Sequence, residues 1–218
     1  MTCPAGRRQA VVVGDLVDEL LKRQVTPVLR EAGFKRSGAN YRLAAENGDV
    51  AIVDVRRWTT DPAVDGFQMS LSVSPLPYVE WLNRDRPERM ARPRGREHSM
   101  LQWTLAPPPE CHLVPDATNT VWALAGEADV DAVGDVLRRM LADDVPGLVS
   151  LFDREKLCAT IQERYADFNV PPERHVAQAI LRSAEGPAEE VERLLAAAMT
   201  PVMPALREWI IARLPRGT

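Results

Sequence analysis

The residues best suited to chemistry are Tyr41, Arg42, Asp54, Arg56, Arg57 and Trp58, the last four within the stretch VAIVDVRRW. A carboxylate and a guanidinium two residues apart on a strand share one sheet face. If Glu46-Asn47-Gly48-Asp49 turns through a two-residue Asn-Gly loop, Tyr41 faces Asp54 and Leu43 faces Ile52. Asp54 and Arg56 then stand among apolar neighbours, whereas a three-residue loop flips the pairing. A partly buried Asp/Arg pair can form a perturbed ligand-binding or catalytic site near Asp54, or a purely structural tie. Arg42, Gln68, Ser70 and Ser72 are candidates for a polar sheet face, which in most sheets is simply solvated.

The strongest local charge feature is NRDRPERMARPRGREH. It carries Arg84, Arg86, Arg89, Arg92, Arg94 and Arg96 against Asp85, Glu88 and Glu97. Guanidinium forks suit phosphate and carboxylate, so this segment is a candidate anion site for a polyanion or nucleic acid. No aromatic residue is interleaved with the arginines, which argues against stacking on single strands. Proline and glycine mark the segment as an exposed loop.

Other candidates are thinner. Cys111-His112 is the sole adjacent Cys/His pair, and neighbours on extended backbone point to opposite faces. With His98 nearby a metal site is conceivable, but the spacing matches no zinc pattern, and no metal or cofactor is expected. His175 falls in the first turns of a helix, as a surface residue. In GEADVDAVGD, Asp129, Asp131, Gly134 and Asp135 mimic part of a calcium loop. Val133 and Met140 fill two of its ligand positions, and acidic residues at a helix start have a simpler cause in the dipole. There is no phosphate-cradling glycine loop, nucleophile elbow or dinucleotide fingerprint.

These groups must be held by an α+β framework. Residues 15 to 32 repeat apolar positions at helical spacing, with Pro27 expected to kink the helix, Gly33 to end it and Phe34 to fold back on it. Lys35 and Arg36 follow, where the dipole favours positive charge by ~0.3–1 kcal/mol. Strands are expected over residues 41 to 45, 50 to 58, 67 to 74, 99 to 105 and 120 to 124. The third has the cleanest alternation: Phe67, Met69, Leu71 and Val73 against Gln68, Ser70, Ser72 and Ser74. A short helical turn is expected through Tyr78 to Asn83. Val130, Val133, Leu137, Met140 and Leu141 form a helical stripe expected to stop before Pro146-Gly147. Leu157, Ile161, Tyr165 and Phe168 form another, with Asp153 as N-cap. Pro171-Pro172 opens a third helix, Gly186-Pro187 separates a fourth, and Pro201 and Pro204 break it before Leu206, Trp209, Ile210 and Leu214.

The order VTPVLREAGFKRSGANYRL, hairpin, VAIVDVRRW, FQMSLSV resembles a bacterial domain-of-unknown-function family, number 4304, over roughly residues 15 to 152. The likeness rests on Pro27, Leu29, Arg30, Gly33, Phe34, Lys35, Arg36, Tyr41, Arg42, Arg56, Arg57 and Trp58, with Trp122 and the helix running to Pro146 also similar. The family's Cys-His-Trp-Arg-type segment corresponds either to EHSMLQW around His98 or to ECHLV around His112. The resemblance implies a small α+β fold and supplies no reaction.

The expected organisation is therefore residues 1 to 14 as an N-terminal segment, 15 to 154 as an α+β domain and 155 to 218 as a helical extension. In the domain a kinked helix packs on an antiparallel sheet of about five strands. The 218 residues carry a net charge of -4, so whole-chain basicity draws the protein to neither nucleic acid nor anionic membrane. No apolar run reaches the ~20 residues of a membrane helix. Cys3, Cys111 and Cys158 are odd in number and far apart, as expected for reduced thiols in the cytoplasm. With structural vocabulary and no recognisable chemical motif, the expected role is a cytoplasmic, non-catalytic interaction or accessory protein. Its partner would be another protein or a second copy met through the C-terminal helices. A polyanion binder through Arg84 to Arg96, or an enzyme near Asp54, stand as alternatives.

Overall fold

The computed structural model describes residues 15–58, 64–91, 95–111, 120–164 and 173–215. The chain enters through α1 (Asp15–Leu20), one π-turn (Leu21–Val25) and α2 (Thr26–Glu31). The widened turn comes just before Pro27, which occupies the first turn of α2, where a missing amide costs no helical hydrogen bond. The helix therefore continues, with Val17, Leu20, Leu21, Val25 and Leu29 all buried on one face. Gly33 ends it at φ 88°, a conformation open to glycine. The Phe34 amide donates to the Leu29 carbonyl at 2.8 Å and the Gly33 amide to that of Arg30 at 3.0 Å, a Schellman closure. Phe34 is buried as expected.

Six strands follow, one more than the sequence pattern indicates. They are β1 (Lys35–Ser37), β2 (Asn40–Ala44), β3 (Val50–Trp58), β4 (Asp65–Ser74), β5 (Leu101–Leu105) and β6 (Trp122–Leu124). The order is β1-β2-β3-β4-β5, all antiparallel, and β6 pairs with the start of β4 beside β5. The extra strand is β1: Lys35 and Arg36 do not merely trail a helix end but pair with Arg42 and Tyr41. Three exposed polar residues show no alternation, so no pattern announces this strand.

The β2–β3 register differs from the two-residue-turn expectation. The Ala45 amide bonds the Asp49 carbonyl at 2.9 Å and the Gly48 amide bonds that of Ala45 at 3.0 Å, so Glu46-Asn47-Gly48 is a three-residue loop. Gly48 takes the left-handed position at φ 81°. Tyr41 consequently faces Val53, Leu43 faces Ala51, and Asn40 faces Asp54.

One sheet face carries Tyr41, Val53, Val55, Phe67, Met69, Leu71 and Val73, all buried in the main core. The other carries Ser70, Ser72 and Ser74, which are also buried rather than solvated. The chain after α3 (Leu76–Leu82) returns over them. The Ser74 hydroxyl donates to the His98 carbonyl at 2.7 Å, and the Ser99 hydroxyl donates to the Ser72 hydroxyl oxygen at 2.8 Å.

α4 (Glu127–Ser150) does not stop before Pro146; the proline lies inside it. Val145, Leu148 and Leu151 are buried on the same side as Leu137 and Leu141, and their burial offsets the lost amide. α5 (Arg154–Arg164) starts on the Asp153 carboxylate, which accepts from the Glu155 and Lys156 amides at 2.9 and 3.2 Å. α6 (Arg174–Arg182), α7 (Ala188–Ala197) and α8 (Pro204–Arg213) complete the helical layer. Tyr165, Phe168, Pro171 and Pro172 lie outside the described residues. One buried apolar cluster runs from Leu16 through the sheet to Ile210.

Candidate functional site

The sheet candidates divide between the two faces of the sheet. Tyr41 is buried beneath the N-terminal helix, with its hydroxyl 2.8 Å from that of Thr26 and Arg36 above its ring at 5.7 Å. Arg57 shares that face but reaches outward, 2.7 Å from Asp18 and 3.9 Å from Asp65. Arg42, Asp54, Arg56 and Trp58 alternate onto the opposite face. There Arg42 and Asp54 are half-buried, and Arg56 and Trp58 are exposed. The one-residue register change thus separates Tyr41 from Asp54 by the thickness of the sheet, and a shared cleft between them does not form.

The arginine segment is more ordered than a plain loop. It contains two short 3-10 turns, Pro87–Ala91 and Arg96–His98. Arg84 lies 3.7 Å above the Trp81 ring, donates to the Trp81 carbonyl at 3.1 Å and pairs with Asp85 at 3.2 Å. Arg86 and Arg89 are exposed, and their side chains make no ion pair or hydrogen bond among the described residues. Arg92, Arg94 and the Arg96 side chain lie outside the described residues.

The thin candidates resolve structurally. Asp129 reaches back to the Ala125 and Gly126 amides at 2.7 and 3.1 Å, capping α4, and Asp131 pairs with Arg23 at 2.6 Å. Gly134 gives room to the Gln24 side chain. These residues fasten two helices and do not enclose a cation. Cys3 and His112 lie outside the described residues, and no metal-binding group occurs among those described.

Sequence reasoning missed two buried carboxylates. Asp49 is fully buried and accepts from the Leu76 amide at 2.8 Å and from Arg154 at 2.7 Å. It joins the hairpin turn, the start of α3 and the start of α5. Asp65 is 4% exposed and accepts from the Val17 amide at 3.1 Å. Their partners Leu76, Arg154 and Val17 lie 27 to 105 residues away, beyond any local spacing rule.

Comparison with protein-family models, curated proteins and solved structures finds no match to this chain. The molecule's own geometry must therefore carry its functional reading.

Two surface features stand out. The first is a cleft of about 430 Å³ between α5, α6 and α7, lined by Glu155, Cys158, Gln162, His175, Gln178, Arg182, Glu190, Arg193 and three apolar neighbours. Arg182 grips Glu155 through both terminal nitrogens and lies 3.7 Å from Glu190. That hydrogen bonding holds the Glu155 carboxyl below the usual range and pushes the Arg182 guanidinium higher still. Gln178 donates to the Cys158 carbonyl at 3.0 Å and to Gln162 at 3.4 Å. The His175 ring nitrogen Nδ1 is 2.9 Å from Glu173. His175, read as a surface residue, is instead held at the cleft wall by that carboxylate. Burial pushes the Cys158 thiol up, so at neutral pH it is a thiol, not an activated nucleophile.

The second feature is apolar. Five large hydrophobic residues are exposed among the described residues, and three of them, Met199, Met203 and Ile211, fall within the α7–α8 connection and α8. Met199 is 81% exposed and Met203 59%. α8 itself is anchored: Trp209 packs on Trp81 with ring centres 5.7 Å apart, Arg213 lies 4.7 Å above Trp209, and Arg213 pairs with Glu80 at 2.6 Å. No described helix is long and apolar enough to cross a membrane.

Proposed function

We propose that this chain is a cytoplasmic, non-catalytic interaction or accessory protein that meets a protein partner through the edge of its C-terminal helices. The observation that carries the reading is the exposure of Met199, Met203 and Ile211 on an anchored framework. Exposed apolar residues grouped in one region mark contact surfaces, and methionine adapts readily to a partner's shape. The thiol-form Cys158 and the separation of Tyr41 from Asp54 point the same way. Membership in family 4304 belongs to the same proposal and adds no reaction to it.

A photo-crosslinking residue placed at Met203 of the full chain, in its own cells, tests this. The expected result is one dominant adduct, with a partner or a second copy, lost when Met199→Asp and Ile211→Asp are introduced without change in thermal midpoint. Adducts that are absent, or indifferent to those substitutions, would overturn the reading.

A second reading has the exposed Arg86 and Arg89 in its favour: a polyanion site on the segment after α3. It predicts binding to single-stranded DNA or heparin that falls steeply with salt. Arg86→Gln with Arg89→Gln should flatten that slope by about two charges' worth; an unchanged slope removes this reading.

A further inference from the structure

The α5–α6–α7 cleft carries an inference separate from the apolar edge. Its volume of about 430 Å³ lies within the roughly 300–1,000 Å³ range of small-molecule sites. Its walls combine apolar surface from Ala159, Leu194 and Ala197 with the amides of Gln162 and Gln178. The charges are unevenly answered. Arg182 is committed to Glu155 and Glu190, so neither the guanidinium nor its carboxylates are free for a ligand. Arg193, one helical turn beyond Glu190 on the same element, also lines the cleft and has no ion pair or hydrogen bond among the described residues. An unanswered guanidinium beside apolar surface suits a small acid with an apolar body: two parallel N–H donors match a carboxylate, and the remainder of the ligand covers Leu194 and Ala197. We infer that the cleft between α5, α6 and α7 is a binding site for a small organic monocarboxylate, held by Arg193 with its apolar body against Leu194 and Ala197.

The thiol of Cys158 supplies an internal reporter, since it lines the cleft and is only 7% exposed. The test uses the full chain with sodium benzoate and sodium hexanoate as probes, and benzamide and benzylamine as neutral and cationic counterparts. Two quantities are read: the thermal midpoint, and the rate at which N-ethylmaleimide alkylates Cys158, followed by peptide mass spectrometry with Cys111 as the control thiol. At a few-fold excess over Kd, a carboxylate should raise the midpoint by about 2–4 °C. It should also slow Cys158 alkylation several-fold and leave Cys111 unchanged. Benzamide and benzylamine should do neither. Arg193→Gln should abolish both effects without moving the unliganded midpoint, because Arg193 is exposed and unpaired. Ala197→Trp should abolish them by filling the cleft, with the charge intact. The inference is overturned if neither carboxylate acts, if benzamide or benzylamine acts equally, or if Arg193→Gln keeps the response. Loss of partner crosslinking at Met203 would leave this result untouched, so the two readings fail separately.

Discussion

At the scale of single residues, the fold depends most on polar groups with no room for error. Asp49 is a fully buried carboxylate paired with the Arg154 guanidinium. Removing that guanidinium breaks a buried ion pair, so Arg154→Ala should destabilise the chain by about 3–5 kcal/mol in urea titration. Adding Asp49→Asn to it should cost much less than the sum of the two single changes, because the two side chains belong to one interaction. Gly48 is constrained twice. Its φ is +81°, and a Cβ there would come within 2.8 Å of the Leu76 side chain, so Gly48→Ala should cost about 1–3 kcal/mol. The turn at Asn47-Gly48 is legible in the sequence, and the buried ties of Asp49 are not. Asp49 reads locally as a turn residue, and its significance comes from Leu76 and Arg154, which only the folded chain brings near.

At the scale of elements, legibility followed local chemistry. The Gly33-Phe34 helix exit and the Asp153 cap depend on residues within a few positions of one another, and the structure bears both out; the alternation of β4 sets its two faces, but both are buried. The hairpin register was ambiguous because Asn-Gly serves two- and three-residue loops alike. The choice between them moved Tyr41 away from Asp54 and left Asp54 and Arg56 together on the opposite face. Pro146 misled for the opposite reason: a strong local breaker was overridden by the burial of Val145, Leu148 and Leu151 around it. That override has a measurable residue. Pro146 is exposed and lies inside α4, so Pro146→Ala loses no burial and restores an amide. It should stabilise the chain by about 1–3 kcal/mol. Calorimetry should show the midpoint rising by about 2–4 °C per kcal/mol.

At the scale of the whole molecule, the expected domain and its helical extension share one buried cluster, and are tied by Glu80–Arg213 and Trp81–Trp209. A chain built this way should unfold in a single calorimetric transition with equal calorimetric and van't Hoff enthalpies; two resolved transitions would contradict it. The same sheet also bears on how copies of the chain behave in a crowd. Beyond β1 no described strand continues the sheet, so its outer side is an edge from which further chains could stack. The edge is three residues long, each of them exposed, with two cationic side chains, Lys35 and Arg36. Brevity and like charge are what discourage strand-on-strand growth. Replacing both residues with valine should leave the melting curve almost unchanged yet make concentrated solutions turn turbid and bind thioflavin T. The basic pair after the first helix would then be valued less for anything it holds than for the neighbours it turns away.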